Sequence, residues 1–212
     1  MVKFNKYDFL SKYIYLVKIK GGIPMDGLSF IKQYITKPRT VGAILPSSKY
    51  LARRMVENID FKSANYIVEY GPGTGIFTEK IIKKRKKNAI ILLFETNKKF
   101  YDLLKEKFKD ETNLYIVNDS AEYIEKYLTM YDIPMIDYIV SGLPFASLPN
   151  NVSSNILKQT QKHLKEDGKF ITFQYTLLKE DFIREYFNEI NIKRELRNVP
   201  PAYILCCNQI GD

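Results

Sequence analysis

The sequence contains few of the residues that build disulfides and metal sites. Its 212 residues include two cysteines, Cys206 and Cys207, and a single histidine, His163. Neighbouring residues of a strand point to opposite faces, so the two cysteines are not expected to pair with each other. His163 lies too far along the sequence to complete a metal site with them. We therefore expect no disulfide, no metal and a reducing, cytoplasmic environment.

Long apolar runs are also missing. No stretch approaches the roughly 20 apolar residues that cross a bilayer as a helix. The amino terminus alternates lysine with phenylalanine, tyrosine and leucine, and it lacks the cleavage pattern of a signal peptide. The sequence therefore predicts neither a membrane-spanning helix nor a secretory leader.

Acidic residues are outnumbered by basic ones, 24 against 33, which gives a formal net charge of +9. A surplus of this size attracts polyanions. Nucleic acid and an anionic membrane surface are both candidates, and charge alone does not separate them. The length and the 45% hydrophobic content suit one α/β domain with a short addition.

The most informative segment runs from Tyr66 to Gly75, where a buried strand is predicted to lead into a glycine-rich turn and then a helix. Such turns lie at the carboxyl ends of sheet strands, where α/β folds bind nucleotides. The third glycine comes one residue earlier than in dinucleotide-binding turns, and the lysine and hydroxyl residue that end a phosphate-binding loop are absent. A cofactor that has a nucleoside but no phosphate fits better, and S-adenosylmethionine is the common one.

This segment supplies the first predicted cofactor contacts. Glu69 precedes the turn by two residues and is expected beneath the methionine end of the cofactor, where it accepts a hydrogen bond from the ammonium group. The backbone of the turn is expected to pass close to the cofactor, because glycine has no side chain that would clash. The turn consists of Gly71, Pro72, Gly73, Thr74 and Gly75.

Two later segments follow strands and are expected at the same edge of the sheet. Glu95 ends the second strand, where a carboxylate can accept hydrogen bonds from two ribose hydroxyls. Asp119 follows the third strand and can accept the adenine amino proton, while the next backbone amide bonds the ring. Alternatively, Asp119 only caps a helix. The predicted adenine contacts are Asp119, Ser120 and Ala121.

The fourth strand ends in a turn that we expect to hold the acceptor. Pro144 stiffens this turn, and Phe145 is expected to present an aromatic face to a cation. An amine acceptor has to be neutral, whereas a free alkylammonium has a pKa of about 10. Backbone carbonyls of the turn can hold the amine while water removes its proton. The predicted catalytic residues are Ser141, Gly142, Leu143, Pro144 and Phe145.

Strand and helix patterns alternate from Ile67 onward, which predicts a parallel, doubly wound α/β sheet. The connection between the last two strands is too short for a crossover helix, so those strands are expected to be antiparallel neighbours. A mostly parallel, seven-stranded sheet with a terminal hairpin is the plan of the Rossmann-like methyltransferases. The predicted strands are Tyr66–Tyr70, Ala89–Glu95, Asn113–Val117, Ile136–Ser141, Lys169–Tyr175, Ile192–Arg197 and Ala202–Cys207. The predicted helices are Ile76–Lys83, Lys98–Lys107, Ala121–Leu128, Asn151–Leu164 and Lys179–Glu189.

Residues 1–60 differ in character from residues 61–212, which contain the predicted sheet domain. Phe4–Lys20 carries apolar residues at helical spacing together with lysines, which predicts a basic amphipathic helix. A second helix is predicted near Leu28–Thr36. We expect this helical extension to lie across the cofactor crevice as a lid or substrate platform. The first helix is expected to dock on the domain or on a membrane, and both alternatives stay open at this point.

The end of this extension contains an apolar loop from Arg39 to Ser48. Either Ser47 or Ser48 is expected to cap the helix that follows, at Lys49–Asn58.

On these residues the chain resembles the bacterial phospholipid N-methyltransferases, which convert phosphatidylethanolamine stepwise towards phosphatidylcholine. The resemblance runs from about Phe30 to Tyr175. Its most specific carriers are Thr40–Ser48 and the Ser141–Phe145 turn, whereas the Val68–Gly75 motif is generic to methyltransferases. The resemblance implies a peripheral enzyme that takes its lipid from the membrane surface. We expect a monomer that acts at the anionic inner face of the cell membrane.

The resemblance also implies a site for the lipid. Arg39, Arg53 and Arg54 are candidates for the lipid phosphodiester, unless they pair with local carboxylates such as Glu57. The predicted substrate-binding residues are Arg39, Pro46, Ser47, Ser48, Arg53 and Tyr175.

The rRNA adenine dimethyltransferases are a related family and resemble the chain at Glu69–Gly75 and at the fourth-strand turn. Their turn carries an asparagine and a tyrosine that hold and stack the target adenine. This chain has Gly142 and Phe145 there, and glycine offers no side chain for a base. We therefore do not favour nucleic acid. An rRNA adenine methyltransferase and a binding module that holds S-adenosylmethionine without turnover remain the alternatives.

Overall fold

The computed structural model describes residues 47–198 and 201–208, with side chains from residue 49 onward. In these residues the strands are β1 (Tyr66–Tyr70), β2 (Ile90–Phe94), β3 (Leu114–Val117), β4 (Ile136–Ser141), β5 (Leu164–Gln174), β6 (Glu189–Glu195) and β7 (Ala202–Asn208). They form one seven-stranded sheet in the order β3-β2-β1-β4-β5-β7-β6. The first five strands are parallel, and β7 runs antiparallel between β5 and β6. This confirms the predicted Rossmann-like sheet with its antiparallel terminal hairpin.

Helices connect the parallel strands. In the described residues they are α1 (Ser47–Val56), α2 (Ile76–Ile82), α3 (Lys98–Lys107), α4 (Ile124–Met130), α5 (Asn150–His163) and α6 (Glu180–Arg184). A short 3-10 turn, Ala121–Tyr123, precedes α4. The alternation of strand and helix leaves the carboxyl ends of β1, β2 and β4 at one edge of the sheet.

Apolar side chains cover both faces of the sheet. Ile67 of β1 packs in a cluster with residues of α1 and α2, and its neighbour Val68 packs in the opposite cluster with residues of α4 and α5. Successive strand residues point to opposite faces, so a strand covered on both sides reads as a continuous apolar run. Glu69 interrupts that run, which makes a buried carboxylate in β1 the first residue that needs a functional explanation.

Several predicted boundaries were wrong. β6 begins at Glu189 rather than Ile192, because Glu189 pairs with Asn208, and α4 begins at Ile124 after the 3-10 turn. Three others also have a physical reason. β5 begins at Leu164 rather than Lys169, because Leu164 pairs with Ile136 and extends the sheet. Phe187 is buried against Phe170, so α6 ends at Arg184 and the chain turns inward instead of continuing as a helix to Glu189. α1 begins at Ser47, so the two serines lie in its first turn instead of preceding it.

Several predictions lie outside the described residues. These are the helices at 4–20 and 28–36, the residues Arg39 and Pro46, and the side chains of Ser47 and Ser48. The proposed division of the chain at residue 60 stays a prediction. Among the residues described, no helix combines the length and the apolar run needed to traverse a bilayer.

Candidate active site

The glycine-rich turn after β1 has a geometry that leaves room for a ligand. Gly71, Gly73 and Gly75 have φ angles of 63°, 56° and 79°, in a region that side chains rarely adopt. A β-carbon built on Gly73 would meet no atom within 4 Å, so this part of the turn borders open space. A ligand can therefore pass along the backbone at Gly73 without displacing protein atoms.

Glu95 holds this turn in place. One carboxylate oxygen accepts a hydrogen bond from the Gly73 backbone amide at 3.0 Å, and the other accepts from the Asn97 amide at 2.8 Å. Burial raises the pKa of Glu95, and the two amide bonds oppose that rise. Each carboxylate oxygen has a second acceptor position. The predicted ribose contact is therefore compatible with a structural role for the same side chain.

Glu69 lies fully buried beneath the turn. Its Oε2 accepts a hydrogen bond from the Thr78 hydroxyl at 2.7 Å. Its Oε1 is buried and has no hydrogen-bond partner among the described residues. Burial raises the pKa of Glu69 to about 8, the Thr78 bond opposes the shift, and the nearby charge of Glu95 adds to it. A buried acceptor without a donor is costly, so a donor from a ligand would stabilise this site.

The segment after β3 is more self-contained than predicted. Asp119 accepts hydrogen bonds from the Tyr127 hydroxyl and from the Ser120 backbone amide, both at 2.8 Å. The predicted alternative, in which Asp119 caps a helix, was wrong, because the Ser120 hydroxyl caps the 3-10 turn that begins at Ala121. The Ser120 amide, which was predicted to bond the adenine ring, is already paired with Asp119.

The acceptor turn after β4 packs directly on the glycine-rich turn. The Gly142 amide donates to the Tyr70 carbonyl at 2.8 Å. A β-carbon on Gly142 would lie 2.6 Å from the Gly71 carbonyl oxygen, which is closer than such contacts occur. Within the turn, the buried Ser141 hydroxyl accepts from the Leu143 amide at 3.2 Å. The two turns therefore form one continuous wall at the carboxyl edge of the sheet.

Phe145 does not take the position that we predicted. Its ring is fully buried and packs edge-to-face on Phe170, with the ring centroids 6.0 Å apart. The turn after Pro144 directs the side chain into the apolar cluster that contains α5 and α6. The structure therefore gives Phe145 a packing role and does not bring an aromatic face to the crevice.

Sequence reasoning missed two residues that position these turns. Thr78, in the first turn of α2, orients Glu69 through the hydrogen bond described above. The Gln174 amide donates to the Leu143 carbonyl at 3.1 Å and to the Thr172 hydroxyl at 3.2 Å, and so ties the acceptor turn to β5. Both residues are buried polar side chains. Gln174 is a polar residue at the end of an otherwise apolar strand, and that pattern could have indicated a positioning role.

Comparison with known proteins identifies the family. A family model described as ribosomal RNA adenine dimethylase matches residues 33–197. The chain belongs to the ribosomal RNA adenine dimethylase family. It is thus an S-adenosylmethionine-dependent methyltransferase, and the cofactor predicted from the sequence is confirmed.

Relatives of this methyltransferase differ in the acceptor that their names state. An ornithine lipid N-methyltransferase of Singulisphaera acidiphila is 28% identical over 189 residues, which cover 88% of this chain and 98% of that protein. A ribosomal RNA small subunit methyltransferase A of Hydrogenobaculum sp. is 30% identical over 131 residues, which cover 61% of this chain and 47% of that protein.

A solved structure agrees with the fold. The T. thermophilus 16S rRNA N2 G1207 methyltransferase, in complex with AdoMet and guanosine, superposes with a TM-score of 0.60 and 16% identity. The match covers 81% of this chain and 45% of that one.

The methyltransferase has residues that fit the cofactor. The unpaired Oε1 of Glu69 can accept from the cofactor's ammonium group, and the open side of Gly73 leaves space for its passage. Glu95 retains acceptor positions for ribose hydroxyls. When bound, S-adenosylmethionine supplies an activated methyl group on a sulfonium.

The predicted lipid-phosphate arginines have different surroundings. Arg54 pairs with Glu57 at 3.0 Å and with Glu195 at 3.3 Å, so the predicted alternative of pairing with Glu57 is confirmed. Arg53 is exposed on α1. Tyr175 is half-buried and packs edge-to-face on Phe173, with the ring centroids 5.5 Å apart.

Glu195 joins α1 to the end of β6. It is buried and binds Arg54 and Arg197, whose Nε lies 2.9 Å from Oε1. The hydrogen bond from Arg197 contributes most to lowering the pKa of Glu195, from 4.5 to about 2, against the opposing effect of burial. Because the folded-state pKa is depressed, this stabilisation is complete above pH 4.5 and is lost as the pH falls towards 2.

We expect Glu195→Gln to lower the free energy of unfolding at pH 7 by about 1–3 kcal/mol, because charged hydrogen bonds are lost. The difference from wild type should shrink as the pH falls from 4.5 towards 2. Urea denaturation at several pH values measures both effects, with exposed Glu166→Gln as the control. A difference that does not change with pH would contradict the assigned role of the carboxylate.

Proposed function

We propose that this methyltransferase methylates the amine of a membrane lipid, with phosphatidylethanolamine, carried towards phosphatidylcholine, as the principal candidate. The proposal is carried by the close approach of Gly142 to the Gly71 carbonyl oxygen. The space there is too small for a β-carbon. The acceptor turn therefore has no side chain at the position where the rRNA enzymes hold adenine.

The acceptor turn offers few contacts that could bind an adenine base taken out of its stack. Recognition of single bases relies on hydrogen bonds to their edges and on stacking against aromatic side chains. Gly142 supplies no side chain, and the Phe145 ring is packed on Phe170 in the core. Neither of the two contacts that would select adenine is present.

An aliphatic amine needs less from the turn. Backbone carbonyl groups accept hydrogen bonds from an amine, and a rigid turn can aim its nitrogen at the methyl group in line with the leaving sulfur. Three hydrogen bonds fix this turn. The Ser141 hydroxyl accepts from the Leu143 amide, the Thr172 hydroxyl donates to the Ser141 carbonyl, and the Gln174 amide donates to the Leu143 carbonyl. His163 lies at the end of α5, next to the start of β5 and away from the carboxyl edge, so water is the proton acceptor in this proposal.

The comparison with relatives supports a lipid acceptor. The relative named as an ornithine lipid N-methyltransferase aligns over 98% of its length, whereas the ribosomal RNA relative above aligns over 47% of its own. Ornithine lipid also presents a primary amine and is therefore the second acceptor to test. The matched family model is described as ribosomal RNA adenine dimethylase, so rRNA is the third acceptor to test.

Membrane association is part of the same proposal. We place the protein, as a monomer, at the cytoplasmic face of the cell membrane. The net charge of +9 supports attraction to anionic lipid, and the predicted amphipathic helix at 4–20 is suited to the interface.

The acceptor is tested by incubating the purified protein with methyl-labelled cofactor and one acceptor at a time. We expect label on phosphatidylethanolamine or ornithine lipid vesicles at a rate at least ~10-fold above that on rRNA, because the site lacks the contacts that select a base. Mass spectrometry of the lipid products would give the number of methyl groups added.

Two other outcomes would contradict the proposal. Transfer of label to rRNA alone would show that the protein is an rRNA adenine methyltransferase. Cofactor binding by calorimetry without transfer to any of the three acceptors would indicate a binding module. Heat-denatured protein is the control for label that is carried over without catalysis.

A further inference from the structure

A basic groove runs between α1 and α2. Its volume is about 430 Å³, and it is lined by Lys49, Tyr50, Arg53, Val56, Lys80 and Lys84. Four of these residues are cationic and none is acidic. None belongs to the cofactor turn or the acceptor turn, and only Arg53 was also predicted to bind the lipid substrate.

Among the residues that the structure describes, no carboxylate compensates the charge of the groove. The carboxylates nearest in sequence bind other cations: Glu57 pairs with Arg54 and Lys193, and Glu79 pairs with Lys107 at 2.7 Å. Within the part of the chain that the structure describes, no carboxylate forms an ion pair with a lysine or arginine of the groove. Closely spaced like charges repel each other, and a polyanion in the groove would relieve that repulsion.

An apolar and aromatic border adjoins the cations. Tyr50 is 42% exposed, and the Arg197 guanidinium lies over its ring, 4.3 Å from the centroid. Leu196, next to Arg197, is 65% exposed. The bridge from Arg54 to Glu195 fastens this tip of β6 to α1. Leu196 and the groove therefore belong to one surface rather than to two independent parts.

We propose that the basic groove and the adjoining Leu196 dock the protein on an anionic phospholipid bilayer. Cations flanked by an exposed leucine and a tyrosine suit an interface at which headgroup phosphates border acyl chains. RNA-binding proteins stack bases on open aromatic faces, whereas one face of the Tyr50 ring is covered by Arg197. The composition of this surface thus favours lipid over RNA.

The orientation of this surface suits the proposed function, on which the inference rests. Gln174 at the end of β5 pairs with Tyr203, and Glu195 pairs with Ala202 beside it. Leu196 therefore emerges at the carboxyl edge of the parallel strands, where the acceptor turn also lies. Docking through this tip would bring the acceptor turn towards lipid headgroups.

The test is binding of the full chain to vesicles of phosphatidylglycerol and phosphatidylcholine, which contain no primary amine. Lys49→Glu with Lys80→Glu should weaken binding by about 20-fold or more, because each lysine near an anionic surface contributes about fivefold. The matched control, Lys99→Glu with Lys105→Glu on exposed positions of α3, changes the net charge equally and should have a much smaller effect. Leu196→Ser should weaken binding by about fivefold.

The outcomes separate docking from catalysis. Thermal unfolding and cofactor binding should match wild type in every variant, which shows that the fold is intact. Equal losses in the groove and control pairs, or full binding by the groove pair, would overturn the proposal. Binding of single-stranded RNA is measured alongside. If the groove pair loses RNA binding but keeps vesicle binding, the proposal is also overturned. Because these vesicles carry no amine acceptor, a failed lipid-methylation assay and a failed docking assay are distinguishable.

Discussion

Glu69→Gln is expected to reduce the affinity for S-adenosylmethionine by about 100-fold or more, which corresponds to ~2.7 kcal/mol. The free Oε1 of Glu69 is the acceptor offered to the ammonium group. Beside the bound ammonium group Glu69 would release its proton to water and carry a negative charge, because an opposite charge favours the ionised carboxylate. Glutamine has the same shape but stays neutral, and it places an amide donor or a weaker acceptor at that point. Isothermal titration calorimetry measures the loss directly.

The cofactor-free variant should not be destabilised at pH 7. Because the pKa of Glu69 is raised to about 8, the side chain holds its proton at pH 7, and glutamine resembles the protonated acid. The folded state binds this proton more tightly than the unfolded chain does, so the wild-type stability falls as the pH rises from 4.5 to 8. Glu69→Gln should lack that decline. Thermal unfolding across this pH range tests the expectation.

A matched control is available on α2. Glu79→Gln makes the same substitution at an exposed carboxylate that pairs with Lys107. It should leave cofactor affinity close to wild type. Wild-type affinity in Glu69→Gln would show that this carboxylate is not the acceptor for the ammonium group, and the cofactor placement would have to be abandoned.

Local signals predicted the strand, the glycine-rich turn and the two carboxylates beside it, whereas their contacts with the cofactor stay a prediction. The strand Tyr66–Tyr70 is apolar on both faces, the alternating glycines have few uses other than a tight turn, and Glu69 and Glu95 lie at fixed distances from strand ends. Each of these features depends on residues close in sequence. The periodicities that predict strands and helices are local in the same way, which is why the order of elements was correct from residue 66 onward.

The contacts between residues far apart in the sequence could not be predicted. Arg54 meets Glu195 across 141 positions, and Gln174 meets Leu143 across 31. A partner at such a distance depends on how the sheet closes, which composition and spacing do not encode. Phe145 illustrates a different difficulty, because an aromatic residue in a turn has the same sequence pattern whether its ring lines a crevice or enters the core.

Gly142→Asn is expected to slow lipid methylation by about 100-fold without creating an rRNA adenine methyltransferase. Asparagine is the residue that the rRNA enzymes carry in this turn, but its β-carbon would lie 2.6 Å from the Gly71 carbonyl oxygen. The two turns would have to separate, and the shift would move the acceptor turn relative to the cofactor turn. A displacement near 1 Å costs about 100-fold in rate. Overpacking should also lower the free energy of unfolding by about 1–3 kcal/mol.

Gly142→Ala separates the effect of crowding from that of the amide. It introduces the same β-carbon without the amide, so it should lose lipid methylation to a similar extent. Ser147→Asn, at an exposed position of the same loop, controls for the introduction of asparagine and should keep wild-type activity. Radiolabel transfer to lipid vesicles and to rRNA, together with thermal unfolding, measures all three variants. If Gly142→Asn retains its activity on lipid, the two turns can separate without disturbing the site. If it methylates rRNA, the contact between the turns is not what excludes adenine.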